Sequence, residues 1–114
     1  RASRMLTSCC VTSKPGKKRA PLPRRSDYTK PFKKDWERLT HSGRYDMQAL
    51  KDTMALIVAN EGDLPAGYRD HELTGDWADH RECHVGGDFL LIYHLPTKDS
   101  VIFVRAGTHS ELFG

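Results

Sequence analysis

The stretch Phe89-Leu90-Leu91-Ile92-Tyr93-His94-Leu95 restricts the fold more than any other part of the chain. Gly86-Gly87 stands just before it and Pro96 just after. A short, nearly unbroken apolar run without alternation predicts a central strand covered on both faces. Its neighbours supply the rest of a sheet. Arg81–Val85 alternates, placing Cys83 and Val85 on one face and Glu82 and His84 on the other. Gly86-Gly87 predicts a hairpin turn between the two strands. Pro96 to Asp99 turns the chain again, and Val101–Ala106 predicts a third strand with Val101, Phe103 and Arg105 on one face. Gly107 breaks that strand, and Thr108 to Gly114 is a tail able to fold over the sheet.

One cover for the sheet comes from upstream. Thr29 is placed to cap a helix, with Pro31 inside its first turn. Phe32, Trp36 and Leu39 recur at helical spacing, while Lys33, Lys34, Glu37 and Arg38 face water. Ser42-Gly43 ends this helix. Asp46 caps a second, with Leu50, Met54, Ile57 and Val58 as its apolar face and Asn60-Glu61-Gly62 as its stop. A short strand is expected over 24–28. Leu64 to Gly67 is turn-rich, and the polar segment Asp70 to Asp79 is anchored by Leu73 and Trp77. The layout is α+β: a two-helix hairpin packed on one face of a small, twisted antiparallel sheet. The other face is left partly open.

Charge divides the chain. The first 25 residues hold eight Lys or Arg and no acid, whereas the remainder holds ten Lys or Arg and fifteen acids. The net charge of +3 therefore belongs to the leader. With Lys17-Lys18-Arg19 and three prolines, residues 1–23 read as a basic disordered leader preceding one domain over 24–114. No apolar run approaches the roughly 20 residues of a membrane helix. Three cysteines, two of them adjacent, do not form a disulfide framework, and a cytoplasmic location is expected.

Five of the six histidines, His71, His80, His84, His94 and His109, lie beyond Tyr68. His80 and His84 have the spacing of a helical metal pair, but they fall on a strand, where that spacing does not converge. Cys83 shares its parity with Val85 and reads as packing rather than as a nucleophile. No P-loop, dinucleotide fingerprint or nucleophile elbow occurs. Acid–base chemistry on a phosphodiester remains, and it needs no metal or cofactor, because RNA supplies its own 2′-OH nucleophile. His71, His84, His109 and Asp88 can fill the proton roles, and Arg81 and Arg105 the charge role. Against this stand plainer readings. His94 sits inside an apolar strand, His80 reads as a solvated turn residue, and His41 has no supporting neighbours. Arg105 is either a phosphate clamp or an ordinary salt bridge.

At these residues the sequence resembles the YafQ branch of the RelE/ParE superfamily of bacterial toxins. The resemblance runs from about Leu64 to Gly114. It rests on Tyr68-Arg69-Asp70-His71, Leu73, Gly75, Trp77, Arg81, His84-Val85, Asp88, Leu91-Ile92-Tyr93 and the ending Gly107-Thr108-His109-Ser110-Glu111-Leu112-Phe113-Gly114. It implies a RelE-like fold and a ribosome-dependent mRNA endoribonuclease that cuts in the ribosomal A site, leaving a 2′,3′-cyclic phosphate and a 5′-hydroxyl. It implies His71 and His109 as the leading acid–base pair, with His84 and Asp88 orienting them or sharing protons. Phe113 is expected to stack on a nucleobase, and Arg81 and Arg105 to hold phosphate. The partner implied is a cognate antitoxin, through which alone the toxin reaches operator DNA. Glu82 stands where the family often has Asp, and Phe89 where it has Trp. The acidic body departs from the basic charge usual for docking on ribosomal RNA, and the leader with Lys30, Lys33 and Lys34 is expected to compensate. Two other readings remain: a non-enzymatic, gyrase-directed inhibitor of the ParE kind, and an RNA-binding domain with inert histidines.

Overall fold

The computed structural model describes residues 22–113, so the expected basic leader, but for its last two residues, lies outside the described part. Strand β1 spans Arg25–Tyr28, helix α1 Lys30–Ser42 and helix α2 Met47–Ala59. Strands β2 (His71–Glu72), β3 (His80–Gly86), β4 (Phe89–Thr97) and β5 (Ser100–Thr108) follow, and helix α3 (His109–Phe113) ends the described chain. The sheet order is β1-β5-β4-β3-β2.

The local signals act as the residues suggest. Thr29 Oγ1 accepts the amide of Phe32 at 3.1 Å and donates to the Val104 carbonyl at 2.8 Å, so one hydroxyl caps α1 and ties it to β5. Asp46 caps α2 through the Ala49 amide, and Asn60, in the left-handed region at φ 58°, ends it. Phe32, Leu39, Leu50 and Ile57 from the helices pack on Cys83, Phe89, Leu91, Tyr93, Val101, Phe103 and Ala106 from the sheet. Leu90 and Ile92 project from the other face, onto Leu112 of α3, flanked by Leu73, Trp77 and Val104. Strand β4 is thus covered on both sides, which its continuous apolar run requires.

Three features stand outside expectation. Strands β2 to β5 are antiparallel, but β1 pairs with β5 in parallel, Tyr28 opposite Phe103, so the sheet is mixed. Parallel neighbours need a long crossover, and β1 is separated from β5 by the helices and the rest of the sheet. The second is a feature on which the sequence is silent: Asp35 on α1 is buried, at 4% exposure. The third is a bulge in β5. Ile92 pairs with Arg105 while Tyr93 pairs with Phe103, leaving Val104 as the extra residue. The bulge reverses parity, so Arg105 lies in register with the open-face residue Ile92 and not on the face of Phe103.

Candidate active site

Register alone gathers most of the candidate residues. His71 on β2 pairs with Glu82 on β3, Glu82 with Ile92 on β4, and Ile92 with Arg105 on β5. Residues directly opposite in a ladder share a face, so this row lies on the open side of the sheet. The next row in that direction is His84, Leu90 and Gly107. Beyond it the β3–β4 turn carries Asp88, and β5 passes into α3 at His109. The register therefore sets His71 and His84 on one face, and the chain carries Asp88 and His109 at the end of the sheet toward which His84 leads.

Glu82 is the centre of the group. Its side chain is 8% exposed, and Oε1 lies 3.4 Å from His71 Nε2 and 3.9 Å from His84 Nε2. His71 Nδ1 lies 2.6 Å from the Arg69 carbonyl. A carbonyl only accepts, so Nδ1 carries the hydrogen and Nε2 is the nitrogen left to exchange a proton. A proton taken there lies against a buried carboxylate. Arg69 holds its carbonyl in place from the left-handed region, at φ 51°. A cleft of about 510 Å³ opens between Tyr68, Arg69 and His84.

His109 belongs to a separate brace. Its backbone amide donates to Asp88 Oδ1 at 3.3 Å, which fixes the start of α3 beside the β3–β4 turn. Its ring packs on Phe113 at 5.0 Å between centroids. Phe113 is 36% exposed and lies edge-on to Trp77 at 5.9 Å. At the back of α3, Glu111 accepts from the Thr108 amide at 2.8 Å and from Arg38 Nη1 at 2.7 Å. Arg38 also reaches Asp35 at 3.2 Å. A Cβ on Gly107 would lie 2.7 Å from Glu111 Oε1, so a larger residue there would push that carboxylate off its present position.

Both arginines expected to hold phosphate make ion pairs within the protein. Arg105 gives Nε and Nη2 to Asp35 at 2.6 and 3.3 Å, and Asp35 also accepts the Ala106 amide at 3.1 Å. The Asp35 hydrogen bond raises the Arg105 guanidinium further above its ordinary value. Of the two roles open to Arg105, the salt bridge is the one formed, with Nη1 lacking a hydrogen-bond partner among the described residues. Arg81 is a correction. It pairs with Tyr93, whose side chain is in the helix-side core, and its Nη2 meets Asp70 at 3.0 Å. Tyr93 also hydrogen-bonds Asp70. Alternation along β3 turns Arg81 away from His84 and Glu82, and with Asp70 it forms an internal ion pair. The same alternation buries Cys83, whose thiol is pushed up to about 12, mainly by burial.

Among the described residues no three His, Cys, Asp or Glu side chains gather as a metal site. The sequence marks Glu82 only as a departure from the family pattern, although its parity with His84 already puts it on the open face. Nothing in the sequence signals the brace through Asp35, Arg38 and Glu111, which joins residues far apart in the chain.

The family model described as a bacterial toxin of type II toxin-antitoxin system, YafQ, matches residues 24–114. The chain belongs to the YafQ family. It is 42% identical over 88 residues to the mRNA interferase toxin YafQ of Escherichia coli strain K12, a match covering 77% of this chain and 94% of that protein. The crystal structure of YafQ from E. coli strain BL21(DE3) superposes with a TM-score of 0.73 at 41% identity, covering 80% of this chain and 99% of that one. The E. coli DinJ–YafQ complex gives 0.72 at 42% identity, again covering 80% and 99%. The YafQ fold thus carries the open-face cluster described above.

Proposed function

We propose that this YafQ-family chain is an mRNA interferase of a type II toxin–antitoxin system, cutting mRNA on the ribosome by metal-free acid–base catalysis. The observation that supports the reading is the pair His71 and His84 on the buried carboxylate of Glu82, on the same sheet whose end carries the Asp88–His109 brace. The likeness to the E. coli mRNA interferase supports the substrate class.

In this mechanism His71 Nε2 takes the proton of the ribose 2′-OH. The O2′ forms a bond to phosphorus as the bond to the 5′-oxygen breaks, and His109 protonates that leaving oxygen. The products are a 2′,3′-cyclic phosphate and a 5′-hydroxyl. Glu82 stabilises the imidazolium formed at His71, and His84 shares that carboxylate. Arg105, whose Nε and Nη2 are held by Asp35, has Nη1 left to donate to the charge that develops on phosphorus, and Phe113 stacks on a base. Each proton-transfer partner contributes roughly 10²–10⁴ in rate.

The antitoxin partner is proposed on the precedent of the DinJ–YafQ complex, with operator DNA reached through the antitoxin. A ribosomal target implies a cytoplasmic protein, and no described helix is long and apolar enough to cross a membrane. Primer extension on mRNA, with and without ribosomes, tests the reading. Cleavage requiring ribosomes and lost in His109→Ala and His71→Ala supports it. Intact mRNA with loss of DNA supercoiling would instead favour a gyrase-directed inhibitor.

A further inference from the structure

A second group of rings on the open face takes no part in the proposed chemistry. His80 on β3 and His94 on β4 are register partners, two residues along β3 and β4 from Glu82 and Ile92. Two strand residues span about 7 Å, so this pair sits one step across the face from the catalytic row. The two imidazoles lie 5.3 Å apart, tilted by 33°. Each is fixed by its Nδ1, that of His80 at 3.0 Å from the Ala78 carbonyl and that of His94 at 2.8 Å from the Asp79 carbonyl. Those bonds assign the hydrogen to Nδ1 and leave both Nε2 atoms as free polar groups. Among the described residues neither ring pairs with a carboxylate, unlike His71 and His84.

Trp77 joins this pair to the site. Its ring stands edge-on to His80, at 5.5 Å and 86°, and edge-on to Phe113, at 5.9 Å and 75°. Phe113 in turn meets His109. Five rings therefore run across the open face from His109 to His94, with Trp77 edge-on between two tilted pairs. The bonds through Nδ1 anchor the two rings to the Ala78–Asp79 turn and leave each Nε2 without a partner among the described residues. The apolar cluster beneath ends at Leu73, Trp77 and Val104, and two imidazoles add little to it.

We propose that His80 and His94, walled by Trp77, form a stacking subsite for a nucleotide flanking the scissile one. It deepens, and rests on, the reading of the open face as an RNA-cleaving site. Single-stranded RNA suits the surface because every base has a π-face, and because a free Nε2 can meet a phosphate oxygen or a base edge. The body is net acidic, so stacking and short polar contacts have to supply what bulk charge does not.

Three preparations test this: the wild type, His80→Ala/His94→Ala, and His80→Phe/His94→Phe. Each is assayed on ribosomes programmed with mRNAs that differ only in the nucleotides flanking the cut. The alanine pair is expected to raise KM roughly tenfold or more, with kcat within about twofold, and to lose any preference for the flanking base. The phenylalanine pair, which keeps the stack and removes Nε2, is expected to recover most of the KM. Circular dichroism confirms that each variant is folded. In parallel, a single-stranded RNA oligonucleotide is titrated against His109→Ala with and without the alanine pair, so that binding is read apart from cleavage. Weaker binding with the alanine pair upholds the subsite even where no cleavage is seen, in which case the catalytic reading alone fails. Unchanged KM, flanking preference and oligonucleotide binding overturn the subsite, as does an effect confined to antitoxin affinity.

Discussion

Asp35 is the residue whose loss separates a braced β5 most sharply from one in which surface ion pairs are incidental. The perturbation is Asp35→Ala. The carboxylate is almost fully buried and accepts from Arg105 Nε, Arg105 Nη2, Arg38 Nη2 and the Ala106 amide. The Arg38 contribution is discounted, because that side chain is 42% exposed and water screens it. What remains is a two-point bond to a partly buried guanidinium and a buried amide that has no water to replace its acceptor. Removing one partner of such a pair costs about 3–5 kcal/mol, most of it from the charge and the amide left behind. For a domain of this size that lowers Tm by at least about 12 °C. Urea unfolding followed by circular dichroism measures the change, with an unaltered slope as the control for a two-state comparison. Asp35→Asn is expected to lose less, since its amide oxygen still serves Ala106. A loss below about 1 kcal/mol in both variants would refute the bracing of β5 by α1.

Other consequences are equally direct. Glu82→Gln keeps the shape of the buried side chain and removes its charge, so kcat should fall about tenfold or more with KM little changed; an unaltered kcat would show that His71 works without the carboxylate. Arg81→Gln should cost about 2 kcal/mol or more of stability through the orphaned Asp70, with KM for RNA within about twofold; a large rise in KM at unchanged stability would return Arg81 to the substrate. Cys83 titrates near 9.0 when unfolded and near 12 when folded, so the unfolded chain loses its proton first. Stability is therefore full below pH 9 and falls above it, by about 1.4 kcal/mol per pH unit from this thiol. The buried, Asp70-bonded Tyr93, also raised, adds to the fall at still higher pH. Denaturation from pH 8 to 11 measures the slope, and a slope equally steep in Cys83→Ala would assign it elsewhere.

The sequence exposes those parts of the molecule that depend on neighbours in the chain. Thr29 and Asp46 announce their helices because capping is settled within three residues. The run from Phe89 announces a doubly covered strand, and the alternation of β3 separates Cys83 from His84. Features that depend on distant partners stay hidden. The bulge at Val104 carries no residue signature, so simple alternation puts Arg105 on the wrong face. Asp35 looks like an ordinary helix-surface acid until β5 is placed beside it. Composition groups Arg81 with the histidines because it gathers charges without regard to side, whereas β3 sends them to opposite faces. His80 and His94 each look unremarkable alone, and only the β3–β4 register brings their rings together.

The ends of the cleaved RNA test the central claim most directly. A substrate cut by its own 2′-hydroxyl, with His71 and His109 moving the protons, leaves a 2′,3′-cyclic phosphate and a 5′-hydroxyl. Replacing the 5′-bridging oxygen by sulfur, a leaving group that needs no proton, should restore cleavage by His109→Ala and not by His71→Ala. Products ending in a 3′-hydroxyl and a 5′-phosphate, or a sulfur substrate that rescues neither variant, would contradict the account.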